Sequence, residues 1–168
     1  IRLEVKVHIV TGAVSAVQNI VKCIRRCGLE VTDLILQPMA SAEAVLTEDE
    51  KELGVVLVDI GGGTTDVGIV ALGGLVNSRN IRIAGDKFNA DIISHIRNEF
   101  KILIGEKSAE EIKIAISSVQ QNRQPMEAIV RGRDLVTGLP REIVVTDQDI
   151  RNAIGHSIEE LVESIKEV

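Results

Sequence analysis

Val58-Asp59-Ile60-Gly61-Gly62-Gly63-Thr64-Thr65-Asp66 is the stretch that decides the reading of this chain. A β-rich run, Val55-Val56-Leu57-Val58, delivers a carboxylate into a turn of three glycines, and a second strand, Thr65 to Leu72, leaves it. Glycines remove the Cβ atoms that would keep an anion away and allow positive φ, so such a turn can aim several backbone N–H groups at one phosphate. Thr64 and Thr65 add hydroxyl donors. Asp59 and Asp66 flank the turn, and carboxylates beside a polyphosphate require a cation such as Mg²⁺, held through its waters, to offset the repulsion. The pattern therefore predicts a cradle for a metal nucleotide; the plainer alternative is a glycine hairpin turn with a capping aspartate. It is not the P-loop, because the G-x-x-x-x-G-K-[ST] order and its lysine are missing, and it lacks the strand-to-helix setting of the dinucleotide fingerprint.

Working outward, Leu75 to Ile83 reads as a third strand joined through Gly73-Gly74, which makes a β-meander. Upstream, Val5 to Val10 alternates like a half-buried strand. Val14, Val17, Ile20, Val21 and Ile24 follow at helical spacing, with Gly28 as the stop. Leu34-Ile35-Leu36 reads as a short buried strand, and Pro38 opens a helix to about Leu46. The acidic run Thr47 to Glu52 reads as a surface connection and a domain boundary. Downstream, Asp86 is placed as the cap of a helix whose apolar stripe is Phe88, Ile92, Ile96, Phe100 and Leu103, interrupted at Gly105. Ser108-Ala109-Glu110-Glu111 has the pattern of a capping box. Two strands are expected within 127–145, around Thr137-Gly138-Leu139-Pro140. Thr146-Asp147-Gln148-Asp149 then begins a terminal helix carrying Ile150, Ile154, Ile158, Leu161 and Ile165.

With 168 residues, 45% of them hydrophobic, and a net charge of -6, the chain is long and apolar enough to bury a core of one or two small domains, which excludes disorder as the main state. The acidic balance and the scarcity of aromatics, Phe88 and Phe100 alone, argue against a nucleic-acid groove. Arg131, Arg133 and Arg141 are too few to reverse this, and a solvated hairpin tip accounts for the first two. No window approaches the roughly 20 apolar residues of a membrane span, and the first residues lack the layout of a secretion signal, so a cytoplasmic setting is expected. The acidic polar face of the terminal helix argues against a membrane-surface role. Cys23 and Cys27, one helical turn apart, are expected to be buried reduced thiols. His8, His95 and His156 are scattered and point to neither metal nor catalysis.

The nine-residue order of the glycine segment resembles the second phosphate loop of the actin-like ATPase superfamily, which includes actin, heat-shock chaperones, sugar kinases and bacterial filament proteins. Residues 1 to about 70 resemble the division-protein family FtsA, through His8-Ile9-Val10-Thr11-Gly12, Ser15 to Cys23 and Ser41 to Gly54. From about Leu72 onward, Leu72-Gly73-Gly74, Ile104 to Lys113 and Val130 to Pro140 resemble the cell-shape family MreB. The change of likeness opens the reading of a hybrid or engineered chain. The resemblance implies an α/β fold: a ribonuclease-H-like actin-fold half, with a mixed sheet, β-meander and flanking helices, plus a small α+β subdomain over about 104–145. Residues 1–46 would be the strand-helix-strand-helix end of domain I, and 53–168 domain II without its adenine loop. The early strands are expected to pair with the meander in one compact unit, with exchange between two chains as the variant.

Carried onto this sequence, the resemblance makes Asp59 the carboxylate holding the metal's water shell, Gly61, Gly62, Gly63 and Thr64 the β/γ-phosphate loop with Thr65 beside it, and Asp66 a further acid of the Mg²⁺ site. Gln37 would orient an attacking water; its plain reading is a solvent-facing amide. Gly85 and Asp86 would form the turn near the ribose, and Glu110 and Lys113 the purine-ribose contacts, although an i, i+3 pair of this kind is ordinarily a surface ion pair. ATP and Mg²⁺ are the implied cofactors. The first phosphate loop would precede Ile1 and the adenine segment would follow Val168, so hydrolysis by this chain alone is expected to be negligible. Two functions compete: an ATP-binding fragment of a bacterial actin-like cytoskeletal protein, and a self-associating folding module without useful nucleotide affinity. The implied partners are a second copy or a complementary actin-fold half, and division or shape proteins. A chaperone or sugar kinase fits the flanking residues less well.

Overall fold

The computed structural model describes residues 7, 9, 11–121 and 124–168. In chain order the elements are α1 (Val14–Arg26), α2 (Gln37–Val45), α3 (Glu48–Leu53), β1 (Val55–Ile60), β2 (Thr65–Ala71), β3 (Gly74–Ile81), α4 (Gly85–Phe100), β4 (Ile102–Leu103), α5 (Glu106–Ile116), β5 (Glu127–Asp134), β6 (Pro140–Thr146) and α6 (Asp147–Lys166). The strands form two three-stranded sheets, β1-β2-β3 and β4-β5-β6. The chain divides into a first unit, 1–57 with 68–78, and a second unit, 58–67 with 79–168, and each strand of the meander contributes residues to both.

In the first unit a small core gathers Ala42, Val70 and Leu75, with Met39, Leu46, Val55 and Leu57 against it. The acidic run read as a connection is instead α3. Thr47 accepts the Glu50 N–H, and the Glu50 carboxylate accepts the Thr47 N–H at 2.9 Å, a reciprocal cap. Lys51 on that helix is buried between Glu43, at 2.7 Å, and Glu48, at 2.9 Å, which raise its pKa above the ordinary lysine value. Leu34-Ile35-Leu36 forms no strand and is exposed at 55%, 71% and 41%, because so short an apolar run fits a loop as well as a buried strand. The strand expected over Val5 to Val10 falls largely outside the described residues, and neither Val7 nor Ile9 is in a strand. Pairing of early strands with the meander is therefore not seen among the described residues. Cys23 and Cys27 are free and exposed rather than buried, because α1 buries none of its residues.

The second unit holds the main core. Ile92 and Ile96 of α4, Ile112 and Ile116 of α5, Val130 and Ile143 of the β5–β6 pair, and Ile150 and Ile154 of α6 meet around Ile102 and Ile104. Each fully buried isoleucine contributes about 1.5–3 kcal/mol of transfer free energy. A neighbouring cluster joins Val67, Ile81, Ile83 and Leu161, and Phe88 packs against both. Glu127 to Arg133 pair antiparallel with Thr146 to Pro140. β5 can approach β4 because Gly132 has no side chain; a Cβ there would stand 2.6 Å from the Leu103 carbonyl oxygen and closer still to Ile102.

Three helix boundaries in this unit differ from expectation. Lys101 takes the left-handed conformation, φ 58° and ψ 34°, which ends α4 and puts Leu103 in a strand rather than on the helical stripe. α5 starts at Glu106 with Gly105 as its N-cap, so Ser108 lies inside the helix and caps nothing. Similarly, α4 is capped at Ala84, and Asp86 sits in its first turn. Thr146 and Asp149 do form the reciprocal cap of α6.

Candidate functional site

The glycine loop is built from the ends of β1 and β2 and anchored to the start of α4, all within the second unit. The Gly61 N–H closes the turn on the Thr64 carbonyl at 2.9 Å. The Gly61 carbonyl accepts the Gly85 N–H at 3.1 Å, and the Gly62 carbonyl accepts the Asp86 N–H at 2.8 Å. In a trans peptide the N–H points opposite to the C=O of the same unit. Tying down these two carbonyls therefore turns the N–H groups of Gly62 and Gly63 away from α4, and neither has a backbone partner among the described residues. Gly61, Gly62 and Gly63 are exposed. None of them adopts positive φ, so what the glycines supply here is space rather than left-handed backbone.

That space is bounded by an acid. A Cβ built on Gly62 would stand 3.7 Å from Asp86 Oδ1, and one built on Gly63 would stand 3.8 Å from Asp86 Oδ2. A Cβ on Gly85 would stand 3.2 Å from Lys113 Nζ, which itself donates to the Gly85 carbonyl at 3.3 Å. Lys113 also pairs with Glu110 Oε2 at 2.7 Å, and the same oxygen accepts Asn89 Nδ2 at 2.6 Å. Lys113 and then Asn89 hold the Glu110 carboxyl below its ordinary pKa, so it is ionised at neutral pH. The loop, the first turn of α4 and one turn of α5 thus form one connected polar patch.

Among the sequence candidates, Gly61, Gly62, Gly63, Thr64, Gly85, Asp86, Glu110 and Lys113 fall in this patch. Asp59 is half-buried next to the last residue of β1, and Asp66 on β2 accepts the Asn80 amide at 2.8 Å. Thr65 departs from expectation: it is fully buried and donates its hydroxyl to the Ile83 carbonyl at 2.6 Å, so its proton is committed inside the fold rather than offered to an anion. Gln37 begins α2 and belongs to the first unit. No cluster of three or more His, Cys, Asp or Glu that could hold a bare metal ion occurs among the described residues. The donors at the loop are carboxylates, which suit a hard cation bound through water beside a phosphate rather than a caged ion.

Asn89 was not expected in the site. Only the packing of α4 on α5 places it against Glu110, and its position in the apolar stripe of α4, next to Phe88, gives no sequence signal.

Residues 6–168 match the family model described as MreB/Mbl protein. The cell division protein FtsA of Pseudomonas aeruginosa is 58% identical over 114 residues, covering 68% of this chain and 26% of that protein. The cell shape-determining protein Mbl of Bacillus subtilis is 40% identical over 132 residues, covering 79% of this chain and 40% of that protein. Among solved structures, MreB5 of Spiroplasma citri bound to ADP superposes with a TM-score of 0.82 at 33% identity, over 91% of this chain and 46% of that one. The same protein bound to AMPPNP gives 0.83 at 31% identity. The chain thus spans about half the length of those structures and less of the curated relatives. No helix among the described residues is long and apolar enough to cross a membrane.

Proposed function

The chain belongs to the MreB/Mbl family of actin-like proteins, and from that premise we propose that its second unit binds the polyphosphate of ATP as part of a cytoskeletal protein of cell shape or division, in the cytoplasm. The observation that carries this reading is the glycine loop, with two carbonyls fixed to α4 and the N–H groups of Gly62 and Gly63 turned the other way. Thr64 adds a hydroxyl, and Lys113 a positive charge. The MreB5 structures, bound to ADP and AMPPNP, support a nucleotide as the ligand. Asp59 and Asp66 would hold the water shell of Mg²⁺, which supplies charge neutralisation of the phosphates when bound. On resemblance alone, Gln37 is assigned the amide that orients water, residues 1–46 the end of domain I, and 53–168 most of domain II.

Calorimetric titration with Mg-ATP tests this, with Asp59→Ala as the control. Binding heat in the wild type that is lost in the variant is expected; no heat in either protein overturns the reading. In-line attack on a γ-phosphate needs water, metal and phosphate walls placed together, so hydrolysis by this chain alone is expected to stay at the no-protein blank. Phosphate release abolished by Gln37→Ala would contradict that.

The exposure of α1 favours a second reading, in which the chain is a self-associating actin-fold half, hybrid in origin. Val14 is 69% exposed and Ile20 57%, and no residue of that helix is buried. Sedimentation that shows a monomer at every concentration, together with nucleotide binding, would remove this alternative.

A further inference from the structure

Over most of its length β5 has a strand on one side only. At the hairpin end the Asp134 N–H donates to the Leu139 carbonyl at 2.9 Å, and on the other side of the strand the Leu135 N–H donates to the Lys101 carbonyl at 2.9 Å. Successive residues of an antiparallel strand direct their backbone groups to opposite sides. Counting back from these two bonds, Val130 and Gly132 bond to β6, opposite Ile143 and Arg141, while Glu127, Ile129, Arg131 and Arg133 face away from it. On that side β4 meets only Arg133 and Asp134. The N–H and C=O groups of Ile129 and Arg131 therefore lie on an open edge, with no strand beside them among the described residues. The edge borders a cleft of about 540 Å³ whose other wall is one face of α5, made by Ser108, Glu111, Ile112 and Ala115.

An open edge pairs readily with another extended backbone, and proline, a bulge or unmatched charge ordinarily protects it. Residues 127–133 contain no proline, run in unbroken register with β6, and carry charges that complement themselves. Glu127, Ile129 and Arg131 share the outer face of the strand, where Ile129 is 71% exposed beside Val144 at 52%. A second copy of β5 laid antiparallel on this edge, with a two-fold axis at Ile129, sets each Glu127 opposite the Arg131 of the other copy and the two Ile129 side chains opposite each other. All three residues turn their backbone groups outward, so the same register matches donor with acceptor at every pair, and it ends before Arg133, where β4 begins. The bond from Arg131 to Glu142 joins exposed groups and does not withhold the guanidinium. We infer that the chain forms a closed two-fold dimer in which the β5 edges of two copies join into one continuous sheet. This rests on the self-association reading, gives it a site in the second unit, and limits it to two copies, because an isologous contact uses up the edge that makes it.

The test is sedimentation of the whole chain over a wide concentration range. A wild type that reaches a dimer and goes no further is expected. Glu127→Arg and Arg131→Glu each set like charges at both cross-strand pairs and are expected to raise the dimer dissociation constant by about tenfold or more. An equimolar mixture of these two variants has opposite charges at both pairs again and is expected to recover the wild-type constant within about threefold. Variants that dimerise as well as the wild type, a mixture that does not recover, or assembly beyond two copies each overturn the proposal while leaving self-association standing. A wild type that is monomeric at every concentration overturns both. Should either charge variant not fold, Ile129→Lys carries the test: it changes an exposed side chain, sets two ammonium groups at the axis, and is expected to give a monomer, whereas a dimer as tight as the wild type overturns the proposal.

Discussion

The hydroxyl of Thr65 donates to the carbonyl oxygen of Ile83 at 2.6 Å, both residues being buried in the second unit. Thr65 is the first residue of β2 after the glycine loop, and Ile83 lies just before the Gly85 turn that accepts the loop against α4. This bond therefore sets the spacing between the two backbone segments that shape the site. Thr65→Val removes the donor, keeps the volume, and leaves the Ile83 carbonyl buried without it, at a cost of about 1–3 kcal/mol. Thr65→Ser keeps the hydroxyl and is expected to lose about 1 kcal/mol for the missing methyl. Urea denaturation separates them, and a valine variant as stable as the wild type would contradict the prediction.

Helix caps give a paired prediction. Thr146 accepts the Asp149 N–H at 3.2 Å, and its own N–H reaches the Asp149 carboxylate at 2.9 Å. Thr146→Ala is expected to cost about 1 kcal/mol, within the usual 0.5–2 for a lost cap. Ser108 carries the same sequence pattern but is the third residue of α5 and makes no cap, so Ser108→Ala is expected to be neutral or slightly stabilising. Thermal unfolding of the two variants side by side checks this, and equal losses would refute it.

The contrast between those two residues shows what the sequence makes legible. The cap at Thr146 follows a strand and precedes the apolar series Ile150, Ile154, Leu161, so local pattern and tertiary structure agree. At Ser108 the chain is already helical because α5 begins three residues after β4, whose pairing with β5 is a long-range fact invisible in the local pattern. Lys101 is similar: a lysine in the left-handed region is held there by its surroundings, with its carbonyl accepting the Leu135 N–H at 2.9 Å, and no propensity announces it. Leu34 to Leu36 failed for a simpler reason, since three apolar residues satisfy strand and loop equally well. In the site, the glycine order identified the loop, whereas Asn89 and the reach of the Asp86 carboxylate over Gly62 and Gly63 arise only from packing. Its place beside the glycine turn makes Thr65 look like a donor to phosphate, but alternation along β2 turns it inward.

Acid lability should trace in part to Asp134. Its carboxylate accepts the backbone N–H groups of Thr137, at 2.9 Å, and Val136, at 2.8 Å, and pairs with Arg141 at 3.1 Å. These bonds, the Thr137 amide first, lower its pKa from 3.8 to about 2. Because the folded value lies below the unfolded one, the group's contribution to stability is fully present above about pH 4 and is lost as pH falls through about 2. Asp134→Asn keeps the shape of the β5–β6 turn but cannot titrate. Stability against pH for the two proteins should converge below that window and separate above it; parallel curves between pH 4 and the acid limit would count against the assignment.

Asp86 gives the most direct reading of how the loop handles charge. Its own N–H is tied to the Gly62 carbonyl, and its carboxylate oxygens lie 3.7 and 3.8 Å from where a Cβ of Gly62 or Gly63 would stand, so an anion bound at the loop has a negative charge close by. Near a protein surface, a repulsion between neighbouring charges of this kind is on the order of 1 kcal/mol or more. Neutralising it with Asp86→Asn should tighten binding of metal-free tripolyphosphate by about fivefold, while binding in the presence of Mg²⁺ changes little or weakens. The wild type is expected to depend strongly on Mg²⁺ for the same probe, and the variant weakly. Titration of both proteins with and without Mg²⁺ decides the matter: an asparagine variant that binds metal-free tripolyphosphate no better than the wild type would mean that the carboxylate does not face the bound anion.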